Sequence, residues 1–194
     1  MEYKLAIGEK TDNKELVRPA LQWLCVHANT YTETKMHYCT RLKSICEKEQ
    51  WLKIREVLIK ELVQTPDRQK LGFWLLRQEG LNERLYGYIS GLPLHRIPLD
   101  MASGGYMLEY YVLFADAFSE EQQEALEKRI CDSILNDAAN SNKEKEYYGI
   151  KYGIKELSKV RPESHAKAVT LRDNLIRLYP RKPLFLSVLK DLNL

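Results

Sequence analysis

The sequence predicts an all-α protein, an irregular α-solenoid of about ten helices packed as antiparallel hairpins. Three observations carry this. Nearly every apolar segment repeats at three- and four-residue spacing. The connections between these segments are mostly a few residues long, which makes sequential helices antiparallel neighbours. Each apolar stripe is also too narrow for a helix at the centre of a bundle, whereas stacked pairs, each covering the next, satisfy it. No repeat of fixed period is present.

The elements follow in order. Leu5, Ala6 and Ile7 belong to a short helix with no preceding partner in the chain. This predicts an open solenoid end, covered by self-association or by a longer natural protein. Asp12 to Glu15 has the form of a capping box, and Leu16, Ala20, Leu21, Leu24 and Ala28 follow at helical spacing. Pro19 falls inside that pattern and should kink the helix, because it removes a backbone donor. Glu33 to Cys46 reads as a second helix, with Met36, Cys39, Leu42, Lys43 and Cys46 along one side. From Glu49 to Val63 the stripe is Trp51, Ile54, Leu58, Ile59 and Leu62, with Lys53, Arg55, Glu56, Lys60 and Glu61 on the other faces.

Thr65-Pro66-Asp67 opens a helix carrying Leu71, Trp74, Leu75 and Leu76, which Gly80 stops. A short helix covers about 82–90. Segment 91–98, with Pro93 and Pro98, has no helical pattern and reads as a crossover between two solenoid halves. The next helix begins between Leu99 and Tyr106, near Gly104-Gly105, and carries Met107, Leu108, Tyr111, Val112, Phe114 and Ala115. Ser119 to Gln122 is a second capping box, leading into Ala125, Leu126, Ile130, Ile134 and Leu135. Tyr147 to Val160, Pro162 to Tyr179 and Pro183 to Leu192 complete the chain. The whole, 1–194, is expected to form a single domain.

Composition excludes several classes. With 194 residues, 44% of them apolar, the chain can bury roughly 70% of its unfolded surface, so it is not disordered. A mean hydropathy of −0.45 and the lack of any long apolar run predict a soluble protein without a membrane span. The start, with only three apolar residues in a row, is no secretory signal, and the expected location is cytoplasmic. The four cysteines are then expected as reduced thiols packed as small apolar groups. The net charge of +3 is too small to imply nucleic acid. It is uneven, however: from Lys143 to Lys182 eleven Lys/Arg face five Asp/Glu, a net of +6.

Three stretches carry a resemblance: Tyr38 to Val63, Tyr147 to Leu157, and the ending Leu171-Arg172-Asp173-Asn174-Leu175, Tyr179-Pro180-Arg181-Lys182-Pro183, Phe185-Leu186 and Leu189. In that order of features the chain resembles a degenerate tetratricopeptide-like solenoid. It is similar to the helical C-terminal region of proteins that carry a SWIM zinc finger. The resemblance implies a helical repeat scaffold, not a reaction. The finger itself is absent: Cys25-Val26-His27 has its Cys-x-His half, but no Cys-x-Cys precedes it.

No constellation points to catalysis. Cys25, His27, His37, Cys39 and Cys46 are the densest candidate metal group. But residues two apart on a helix lie about 200° apart around its axis, so 25/27 and 37/39 diverge. No nucleophile elbow, Walker loop or dinucleotide loop occurs, and neither His95 nor His165 has a partner that suggests a dyad. Glu120-Glu121 and Glu144/Glu146 sit at helix starts, where they complement the helix dipole. The protein is therefore read as a non-enzyme without metal or cofactor. A site near 91–98 is the weaker catalytic option, on the ground that loops of rigid scaffolds carry function.

One motif stands out, the tandem Tyr148-Gly149-Ile150-Lys151 and Tyr152-Gly153-Ile154-Lys155. Period four gives the helix a Tyr edge, a Gly edge, an Ile edge and a Lys edge. Two helix glycines cost about 2 kcal/mol relative to alanine, and close approach of a neighbouring backbone is the packing reason for them. Tyr148, Lys151, Tyr152, Lys155 and Lys159 are the candidate binding residues. Two functions follow: a non-catalytic scaffold holding a protein or peptide partner, and nucleic-acid binding by the basic C-terminal third. An acidic protein partner is favoured, because net +6 is modest and no base-reading motif accompanies it.

Overall fold

The structure, a computed structural model, describes residues 1–94 and 106–194. Among these are eleven α-helices, two 3₁₀ turns and no strand, so the protein is all-α. None of the described helices is long and apolar enough to cross a membrane. The chain divides into two compact units, Met1–Leu81 and Asn82–Leu194.

The first unit holds α1 (Glu2–Lys10), α2 (Lys14–His27), α3 (Thr32–Ile45), α4 (Lys48–Gln64) and α5 (Gln69–Gln78). α1 packs on α2, α2 on α3 and α4 on α5, while α2 also meets α4 and α3 meets α5. The capping residue of α2 is Asn13, not Asp12. Its side chain accepts the N–H groups of Glu15 (3.1 Å) and Leu16 (3.3 Å). Asp12 instead sits at φ 48°, in the left-handed turn between the helices. α2 continues through Pro19 without a break. Pro66–Arg68 forms a 3₁₀ turn before α5, and Gly80 ends that helix at φ 68°, as its placement in the sequence predicts.

α4 and α5 approach closely at Gly72. A Cβ there would lie 2.9 Å from Val63 Cγ1 and 3.2 Å from the Val63 backbone nitrogen. Backbone does not yield as a side-chain tip does. Gly72→Ala is therefore expected to cost about 1–2 kcal/mol through overpacking. The measurement is the urea midpoint, and an unchanged or raised midpoint would show that the helix pair has room to separate.

The second unit holds α6 (Asn82–Ser90), α7 (Met107–Phe114), α8 (Glu120–Asn140), α9 (Glu144–Ser158), α10 (Pro162–Leu178) and α11 (Pro183–Lys190). α9 packs against α7, α8, α10 and α11, through Tyr147, Ile150, Ile154 and Leu157. The capping box at Ser119 is present: Ser119 Oγ accepts the N–H of Gln122 (3.2 Å), and Gln122 Oε1 accepts that of Ser119 (3.1 Å). α9 begins three residues earlier than its aromatic pattern suggests. The Glu146 carboxylate takes the N–H groups of Asn142 (2.9 Å) and Lys143 (3.0 Å) and so fixes the first turn there. His95, Gly104 and Gly105, and the crossover expected at 91–98 from residue 95 onward, lie outside the described residues.

Candidate interaction surface

α9 divides its tyrosines between two environments. Tyr147 is buried and stacks on Phe185 of α11, with ring centroids 4.7 Å apart. Tyr148 and Tyr152 are 49% and 38% exposed. Tyr148, Tyr152, Lys155 and Lys159 follow one another at four, three and four residues, so they form one line along the outer face. The opposite face is fixed in the core, which holds this line rigid. Lys151 leaves it: its ammonium lies 2.5 Å from Asp191 Oδ2, beyond the end of α11. Lys159 is paired with Glu156 one turn back. Lys155 is exposed, without an ion-pair partner among the described residues. Burial, and the carboxylates of Glu156 and Glu109, raise the Tyr152 phenol above its ordinary range, so it remains a neutral donor at neutral pH.

At Gly153 the close neighbour is a side chain and not a backbone. A Cβ there would lie 3.3 Å from Ile134 Cδ1 of α8. The glycine lets the tip of Ile134 seat against α9.

The second unit also holds a polar cluster that sequence reasoning passed over. Glu127 of α8 is wholly buried. Its carboxylate accepts hydrogen bonds from Tyr111 Oη of α7 (2.6 Å), Arg161 Nε (2.8 Å) and Nη2 (3.1 Å), Ser164 Oγ (2.5 Å) and Lys167 Nζ (2.6 Å). Burial alone would push this carboxyl up. The bonds from Arg161, Lys167, Ser164 and Tyr111 outweigh it and hold the carboxyl at about 2. Burial and the bond to Glu127 drive the Tyr111 phenol far upward. Glu127 is thus held ionised and Tyr111 neutral, the states in which they bond best. The arrangement joins α7, α8 and the start of α10.

The basic C-terminal third is largely engaged within the fold. Arg161 and Lys167 hold Glu127. Arg172 meets Asp173 and the Leu192 carbonyl, and Arg177 meets the Asn174 side chain. Lys182 explains the Tyr-Pro-basic-basic-Pro joint. Its ammonium donates to the carbonyls of Ala138 (3.1 Å) and Ser141 (2.8 Å) at the end of α8, 4.9 Å from the Tyr179 ring centroid and 5.9 Å from that of Tyr147. A cation here satisfies carbonyls that the helix leaves unpaired.

In the first unit, Arg55 is not on an open face of α4. Its side chain is 15% exposed, and the guanidinium reaches Glu79 at 3.3 Å. Cys25 and Cys39 are free and buried, and contact with the Cys39 thiol together with burial drives the Cys25 thiol far up, away from thiolate chemistry. No three His, Cys, Asp or Glu side chains are grouped to hold a metal ion among the described residues. Compared with known protein families, curated proteins and solved structures, the chain matches none.

Proposed function

We propose that this protein is a non-catalytic, tetratricopeptide-like helical scaffold of the cytoplasm that binds an acidic segment of a protein partner. The contact runs along Tyr148, Tyr152, Lys155 and Lys159, with Lys151 on its flank. The observation that carries this reading is the line of two exposed tyrosines and two lysines on a helix anchored on its other sides. Tyr supplies contact area at small entropy cost, and the lysines supply the charge that selects the partner. The resemblance to the helical region of SWIM-finger proteins supports the same reading, since such scaffolds present extended surfaces.

The test is fluorescence anisotropy with a labelled octaglutamate peptide at low salt. The wild-type chain should bind, and Tyr152→Ala with Lys155→Glu and Lys159→Glu should weaken binding about tenfold or more. An equal affinity in both proteins removes the surface from consideration. Binding of generic duplex DNA or RNA with a steep salt dependence, and not of the peptide, favours the nucleic-acid reading. Against that alternative stands the internal engagement of Arg161, Lys167, Arg172, Arg177 and Lys182.

Self-association through α1 is a second contact we propose, resting on Tyr3 and Ile7, 78% and 38% exposed. Leu5 is buried against α2 and is not part of it. Sedimentation at high concentration should show dimer for the wild type and monomer for Tyr3→Asp with Ile7→Asp.

A further inference from the structure

The first unit contains a second site, independent of α9. Lys43 on α3, Trp51 and Arg55 on α4, and Trp74 on α5 converge on Glu79, just past the end of α5. The Glu79 side chain is 8% exposed. It accepts Lys43 Nζ at 2.7 Å, Trp51 Nε1–H at 3.0 Å and Arg55 Nη1 at 3.3 Å. Burial would raise this carboxyl, but the donors more than offset it and keep it ionised. Beside it remains an open cleft of about 110 Å³, lined by Trp51, Trp74, Leu75 and Gln78 and by Thr40 of α3.

The members of this group differ in how firmly they are held. Arg55 and Trp51 are inside and fix the carboxylate. Lys43 comes in from solvent, its side chain 51% exposed, with its ammonium 6.0 Å from the Trp51 ring centroid. Of the three donors Lys43 is the one that solvent reaches, and it gives up side-chain freedom to hold the pair, so it is the most readily exchanged. A carboxylate that takes the N–H edge of Trp51, in a cleft that Trp74 also lines and with unfilled space beside it, is the chemical complement of an alkylammonium ion. The carboxylate oxygens already take three donors, and a metal ion would need several more oxygen ligands than are present. Replacing Lys43 by an ammonium from outside leaves the charge of the cluster unchanged, so the exchange strands no buried charge.

We propose that this cleft is a cation subsite that takes the side-chain ammonium of a lysine from a partner protein. The incoming lysine displaces Lys43 from Glu79 and lays its methylene stem along Trp51 and Trp74. Lys43 is then a resident substitute that keeps the site closed when no partner is bound.

The experiment titrates n-butylammonium, with n-butanol as the neutral control, into the full chain, the Lys43→Ala variant and the Lys43→Ala/Glu79→Gln variant. The readout is the pair of indole N–H resonances of Trp51 and Trp74. Butylammonium should shift them saturably in Lys43→Ala, at least fivefold more tightly than in the wild type. It should have no saturable effect once Glu79 is neutralised. If the double variant fails to fold, Trp74→Leu in the Lys43→Ala background replaces it and should also lose saturation. A response in Lys43→Ala that does not saturate, that butanol reproduces, or that matches the wild type in affinity overturns the proposal.

Discussion

Glu127→Ala is expected to destabilise the second unit by about 3–5 kcal/mol, the usual effect of removing one partner from a buried ionic cluster. The change leaves Lys167 without its anion, Arg161 with only the distant Glu163 (3.9 Å), and the hydroxyls of Tyr111 and Ser164 without their acceptor. Against a total stability of about 5–15 kcal/mol this is a major loss. Urea unfolding followed by circular dichroism measures it, and a loss under 1 kcal/mol would mean that water enters and replaces the carboxylate.

The same residue sets a pH dependence. The folded carboxyl titrates at about 2 against 4.5 when unperturbed, so its contribution is complete above pH 4.5. It declines as pH falls from 4.5 towards 2, by about 3 kcal/mol in all, because the unfolded state takes up the proton first. Glu127→Gln should remove that part of the acid sensitivity.

Lys182→Met is expected to cost about 2–3 kcal/mol, or roughly 5–10 °C in Tm. Methionine keeps an unbranched apolar stem but cannot donate to the carbonyls of Ala138 and Ser141 or sit as a cation on Tyr179 and Tyr147. Calorimetry measures the shift. An unchanged Tm would place the ammonium in solvent and leave the joint to the stacking of Tyr147 on Phe185.

These two sites mark where the sequence is legible and where it is not. Helix class and most boundaries follow from local chemistry: the Ser119 box, Pro at the first position of α10 and α11, and Gly80 after α5. Local chemistry also misleads by one residue, as at Asp12 and Asn13, because Asp and Asn cap equally well. Ala125, placed on the α8 stripe by its apolarity, is exposed, while Glu127 is buried. Charge argued for the surface, yet Glu127, Ile130 and Ile134 share one face by spacing, and Arg161, Ser164 and Lys167 repeat every three residues from the residue that precedes α10. That pairing of an acid in stripe register with cations in stripe register was the available signal. Tyrosine gives none: Tyr111 and Tyr147 are core, while Tyr148 and Tyr152 are surface. An apolar body with a polar tip suits either place. Contacts such as Lys151 with Asp191 join residues 40 apart and depend on the fold itself.

The Glu127 bonds to α10 close loops of 34 to 40 residues, and those of Lys182 close loops of 41 and 44. Helix pairs joined by short turns, such as α9 and α10, meet early in folding, while contacts of such separation carry a larger closure entropy and form late. Losing them should therefore leave the refolding rate of the second unit nearly unchanged and speed its unfolding, by roughly two to four orders of magnitude for Glu127→Ala. The cluster acts as a latch on the native lifetime. Stopped-flow chevrons would show the effect confined to the unfolding arm, and the variant would be cut faster by a protease that samples the open chain.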